Sequence, residues 1–179
     1  MLFTPTEVSG AYILESSKIP DERGFFALAW SRSEFLRQGL NADLVQCNIS
    51  FNHRKGTLRG MHYQIAPHSE AKLVRCTRGS IYDVAVDIRP DSPTFGRHCG
   101  VVLDASHHRA LYVPEGCAHG YLTLEEGCEV FYQMTASYAP EHARGLRWND
   151  PSFGVRWPGE VAVINERDRT WPDFGRVSG

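Results

Sequence analysis

His62 and Lys72 are the side chains whose types and spacing point most directly to chemistry. His62 lies in Leu58-Arg59-Gly60-Met61-His62-Tyr63-Gln64, and Lys72 follows a turn at Pro67 and His68. Strand alternation puts Leu58, Gly60, His62 and Gln64 on one face and Arg59, Met61 and Tyr63 on the other. A hairpin through Pro67 and His68 then returns Lys72 alongside His62. An imidazole poised near neutral pH can remove a proton from a carbon next to a ketone, while an ammonium holds the developing enolate oxygen. Such a base is usually oriented by a carboxylate, and reprotonation on the opposite face needs a separate acid, a role a phenol can fill. Asp83, Asp87 and Asp168 are candidates for the carboxylate, and Tyr63, Tyr82, Tyr132 and Tyr138 for the acid; spacing does not choose among them. The bland alternative is that His62 is a hydrogen-bonded core residue and the tyrosines are sheet packing with a polar tip.

Eight histidines also raise the question of a metal, which needs three or four converging His, Asp or Glu ligands. His62-x-Gln64, Lys72 and Pro114-Glu115-Gly116-Cys117-Ala118-His119 keep the spacing of the two metal motifs of cupin jelly rolls, H-x-H with a later Glu and P-x-G-x-x-H. Gln64 stands where the second His would be, and Lys72 where the Glu would be. An amide is a poor substitute for imidazole and an ammonium opposes a divalent cation, so the frame reads as one that has given up its metal.

The elements that must position these residues are strands. From Leu44 onward, runs of strand-prone residues at 44–51, 57–65, 71–77, 80–88, 97–103, 109–113, 118–124 and 128–135 alternate with turns rich in Gly, Pro, Asn and Asp. This spacing indicates an all-β sandwich or barrel without separating an immunoglobulin-like arrangement from a jelly roll. Upstream, residues 2–15 hold two edge strands, and Phe25 to Trp30 reads as a strand buried on both faces. Ser31 or Ser33 caps a short helix ending near Gly39, with Phe35, Leu36 and Leu40 on one side. The tail from Tyr138 is loop-rich, with Trp148, Trp157 and Trp171 to pin it down, and no linker splits the 179 residues, so we expect one domain over 1–179.

Net charge of -2 gives no footprint for nucleic acid, and His53-Arg54-Lys55 reads as a solvated turn. Five widely spaced cysteines without CxxC pairs read as small hydrophobes in a reducing compartment. With neither a signal segment nor a run of about 20 apolar residues, the expectation is a cytoplasmic protein that does not enter membranes.

Asp21-Glu22-Arg23-Gly24-Phe25-Phe26, Gln46-Cys47-Asn48, Leu58 through Gln64, Ala71-Lys72-Leu73-Val74, Asp83 through Arg89, Pro114 through Gly120 and Trp148-Asn149-Asp150-Pro151 together resemble the dTDP-4-dehydrorhamnose 3,5-epimerase family. The resemblance runs in order from about residue 10 to about residue 173. It implies a cupin-type double-stranded β-helix (jelly roll) with one or two short helices, a homodimer, no cofactor and no metal, and a nucleotide-diphosphate sugar carrying a 4-keto group as substrate, epimerised at C3 and C5. By motif it implies His62 as base, Asp168 as its carboxylate, Tyr132 as acid and Lys72 as the cation on the 4-keto oxygen. Arg59, His119 and Tyr138 line the same pocket by this resemblance, and Arg23, Phe25, Gln46 and Asn48 match nucleotide-diphosphate contacts, some of them donated across the dimer in relatives. Leu28 and Cys47 depart from the dTDP-sugar pattern. Alternatives are therefore an enzyme that epimerises one carbon of a CDP- or GDP-linked sugar, and a sugar-binding jelly roll that does no chemistry.

Overall fold

The computed structural model describes residues 1–176. Thirteen strands dominate: β1 (Leu2–Pro5), β2 (Tyr12–Glu15), β3 (Lys18–Asp21), β4 (Gly24–Ala27), β5 (Gln46–Asn52), β6 (Leu58–Gln64), β7 (Lys72–Arg78), β8 (Ser80–Asp87), β9 (His98–Asp104), β10 (Ala110–Val113), β11 (Cys117–Thr123), β12 (Cys128–Met134) and β13 (Ala143–Gly145). Two helices, α1 (Arg32–Arg37) and α2 (Glu166–Thr170), complete the elements used below. A six-stranded sheet runs β1-β2-β10-β7-β12-β5 and a five-stranded one β13-β6-β11-β8-β9, antiparallel throughout. They face each other as a jelly roll.

Alternation along each strand explains why the runs are so apolar. On β7, Val74 and Cys76 point into the core between the sheets, where Ile81 and Ala85 of β8 meet them. Leu73, on the other face of β7, packs with Phe35 of α1 and Tyr112. Val84 and Val86, on the other face of β8, pack with Leu146 and Phe153 of the C-terminal segment. Strands covered on both faces have no solvent side to keep polar. Four cysteines, Cys76, Cys99, Cys117 and Cys128, are buried free thiols, and Cys47 is exposed.

Three expectations are corrected. First, β6 and β7 are not a hairpin: β6 pairs with β11 and β13, whereas β7 pairs with β10 and β12. The connection through Pro67 crosses between sheets, so Lys72 meets His62 across the interior. Second, Phe25 to Trp30 is not a doubly buried strand. β4 pairs only with β3, and the hairpin stands apart from both sheets with Phe26 70% exposed. Third, α1 buries Phe35 but leaves Leu36 exposed, because a six-residue helix offers the sheet only a narrow stripe. Among the described residues no helix is long and apolar enough to cross a membrane.

Candidate active site

A cavity of 370 Å³ opens between the sheets, within the roughly 300–1,000 Å³ usual for small-molecule sites. The five-stranded sheet supplies Arg59, His62 and Gln64 from β6 and His119 from β11. The six-stranded sheet supplies Lys72 from β7, Tyr132 from β12, and Gln46 and Asn48 from β5. Register fixes these neighbours: His62 lies opposite His119, Lys72 opposite Met134, and Tyr132 opposite Asn48.

Simple alternation places Arg59 and His62 on opposite faces, yet both line the cavity. The pairing of β6 with β11 explains the difference. Tyr121 faces Arg59 and His119 faces His62, so a three-residue step on β6 answers a two-residue step on β11. The extra residue is a bulge, which turns side chains three apart toward the same side. Gly60 lies inside it with φ of +135°, and a Cβ there would stand 2.5 Å from Gly120 Cα. Only glycine tolerates that approach.

His62 Nε2 is 2.7 Å from Asp168 Oδ1. Asp168 is 1% exposed and is held by its neighbours at both ends. Its Oδ2 accepts from the Gly60 amide at 3.1 Å, and its own amide donates to the side chain of Asn165, the N-cap of α2. Burial pushes the Asp168 carboxyl up, but the hydrogen bond and charge of His62, together with the Gly60 donor, outweigh it and hold its pKa below the ordinary value. An ionised carboxylate only accepts, so when the ring is neutral Nε2 carries its proton and Nδ1 keeps its lone pair. With its side chain 41% exposed at the cavity, His62 can act there as a base.

Lys72 is buried and donates from Nζ to the His62 carbonyl oxygen at 3.2 Å. It also pairs with Glu70 Oε1 at 3.0 Å, with the Glu70 side chain 3% exposed. An ammonium has three donors, so one remains for a ligand oxygen. Glu70 Oε2 is buried without a partner among the described residues. Burial also raises the Tyr132 phenol, helped by the charge of Glu70 and opposed by that of Arg59. It is therefore protonated at neutral pH and has a proton to give.

Partner choice among the carboxylates is decided by distance. Asp83 Oδ1 is 2.7 Å from His119 Nε2 on the neighbouring strand, and Asp87 is taken by Arg89, Ser92 and Thr94. Of the tyrosines, Tyr82 packs outward on Trp157, whereas Tyr63, Tyr132 and Tyr138 line the cavity. Gln46 accepts from the Tyr138 amide at 2.9 Å and donates to Asn48 at 3.0 Å. Arg23 and Phe25 are not brought to this cavity by their own chain. Arg23 is ion-paired with Asp21 on the exposed hairpin, and Phe25 lies against His108. Leu28 and Cys47 are likewise exposed and outside the cavity lining.

Sequence reasoning missed Glu70, Arg144 and Arg167, all of which line the cavity. Glu70 was open to discovery, since it stands two residues before Lys72 and alternation puts both on one face. Arg144 and Arg167 sit on β13 and α2, short elements without a periodic signal. With Arg59 and Lys72 they set four cations against the single carboxylate of Glu70 in the lining. Such a field favours an anionic ligand.

Known proteins resemble this chain over nearly its whole length. The family model described as dTDP-4-dehydrorhamnose 3,5-epimerase matches residues 5–176. An enzyme of that name from Methanothermobacter thermautotrophicus is 42% identical over 172 residues, 94% of this chain and 92% of the relative. The crystal structure of dTDP-4-dehydrorhamnose 3,5-epimerase from Elizabethkingia anophelis superposes with a TM-score of 0.95 at 36% identity, covering 98% of this chain and 97% of that one. A Legionella pneumophila enzyme crystallised with dTDP-4-keto-L-rhamnose superposes at 0.89 with 34% identity, covering 96% and 92%.

Proposed function

Since the chain belongs to the dTDP-4-dehydrorhamnose 3,5-epimerase family of isomerases, we propose that this cavity inverts C3 and C5 of a dTDP-linked 4-keto-6-deoxy sugar. The carrying observation is one base, one acid and one cation converging from two facing sheets, with the base locked by a buried carboxylate. His62 Nδ1 removes the proton from the carbon next to the ketone, and the Asp168 carboxylate stabilises the imidazolium that forms. Lys72 Nζ holds the 4-keto oxygen as it becomes an enolate. Tyr132, on the opposite sheet, returns a proton to the other face of the same carbon. The ring then carries inverted configuration, and His62 and Tyr132 exchange protons with solvent before the second carbon reacts. Arg59, Arg144 and Arg167 supply positive charge for the diphosphate, and Gln46, Asn48, His119 and Tyr138 complete the wall.

Arg23 and Phe25 enter this reading through a homodimer. The β3–β4 hairpin projects from its own chain with Ile19 and Phe26 exposed, an apolar surface fit to lie against a second copy. In that assembly the hairpin delivers Arg23 and Phe25 to the nucleotide end of the other cavity.

The test is proton NMR in deuterated water with dTDP-, CDP- and GDP-linked 4-keto-6-deoxy sugars. Deuterium at both C3 and C5 of the dTDP sugar is expected. Label at one carbon replaces the double inversion with a single one, and a preference for CDP or GDP overturns the nucleotide assignment. Binding without any exchange overturns the catalytic reading.

A further inference from the structure

We propose that His68, Glu141 and His142 form a binding site for a divalent transition-metal ion on the rim of the cavity, apart from the proton-transfer groups. Each offers one ligand atom, and these atoms lie within 4.8 Å of one another. His142 Nδ1 and Glu141 Oε1 are already 3.3 Å apart, close to the roughly 3.4 Å that separates two donors on a tetrahedral ion with bonds of about 2.1 Å. The imidazoles of His68 and His142 lie side by side, centroids 4.5 Å apart and tilted by 49°. Two imidazoles and one carboxylate suit zinc, nickel, cobalt or copper rather than magnesium or calcium, and leave a position for water.

The backbone around this cluster is built rather than incidental. Gln64, 4% exposed, donates from Nε2 to the His68 carbonyl at 2.9 Å and accepts at Oε1 from the Ala139 amide at 2.7 Å. The Ile65 amide donates to the His142 carbonyl, the His142 amide to the Ala139 carbonyl, and the His68 amide to the Ile65 carbonyl, each at 3.0 Å. One buried glutamine therefore stitches the β6–β7 connection to the segment before β13, and these two segments carry the three ligands. Glu141, with its side chain 67% exposed, is free to close the last ångström onto an ion. The β6–β7 connection carries Glu70 and the segment before β13 carries Tyr138 into the cavity wall, so a bound ion would tie two parts of that wall together.

The site is tested on the full chain, freed of metal by a chelator, with zinc followed by calorimetry and cobalt by its visible ligand-field bands. We expect one ion per chain, absorption of a four- or five-coordinate nitrogen and oxygen site, and affinity reduced ~10-fold or more in both His68→Ala and Glu141→Gln. His62→Asn should leave the affinity unchanged, separating this site from the cavity interior. Saturation at less than one ion per chain, affinity unaltered in the two ligand variants whose metal-free unfolding matches the parent, or loss of binding in His62→Asn overturns the proposal. None of these results depends on what reaction the cavity performs.

Discussion

Replacing Asp168 by Asn is the sharpest probe of the proton-transfer reading, because it preserves shape while reversing one hydrogen bond. The amide oxygen can still accept from the Gly60 N–H, now 3.1 Å from Oδ2. The amide nitrogen then faces His62 Nε2 across the 2.7 Å gap and can only donate. His62 is driven to the other tautomer, with its proton on Nδ1, the atom that has to act as base. The variant also loses the negative charge that stabilises the imidazolium. A positioned base contributes about 10²–10⁴ in rate, so we expect deuterium wash-in at C3 and C5 to slow by that factor, or ~2.7–5.4 kcal/mol of barrier. Loss of one charge-assisted hydrogen bond should cost about 1.5–3 kcal/mol of stability, seen in urea unfolding. Wash-in within about fivefold of the parent, in a folded variant, would refute the role of the carboxylate and with it the tautomer argument.

Other perturbations separate the remaining roles. Lys72→Met should abolish exchange and also destabilise by about 3–5 kcal/mol, because Glu70 is left buried and unpaired. Adding Glu70→Gln should restore stability measured by denaturant but not activity; restored activity would remove Lys72 from the enolate role. Tyr132→Phe should still admit deuterium while inverted product falls at least ~10²-fold in NMR assays, and an unaltered product yield would displace it as the acid. Gly60→Ala should cost about 3 kcal/mol or more in chemical denaturation, since its Cβ would meet Gly120 Cα at 2.5 Å in a backbone conformation that disfavours side chains. For Asp87, burial raises the carboxyl, but Arg89, Ser92 and Thr94 outweigh it and hold its pKa far below the ordinary carboxylate range. Its folded value is the lower one, so the stability it contributes is present above about pH 4 and lost as pH falls toward the folded value. Asp87→Asn should flatten that acid limb in pH-dependent thermal melts.

By itself the sequence determined the strands from Leu44 onward and the all-β class, because alternation and turn residues are local signals; it also singled out His62 and Lys72, but they meet across two sheets and not in the hairpin that local signals implied. The resemblance drawn from its motifs pointed to Asp168 and Tyr132, which spacing alone could not separate from their rivals. Tertiary structure decided the rest. Asp83 and Asp87 lie beside other partners, β6 and β7 join different sheets, and Arg59 turns into the cavity at a bulge created by a mismatch with β11. Strand membership and bulges depend on which distant segment supplies the hydrogen bonds, so no single run of residues encodes them. The exposure of Phe25 and Phe26 has the same origin, since an apolar run is buried only if some surface arrives to cover it. For the β3–β4 hairpin that surface does not come from its own two sheets.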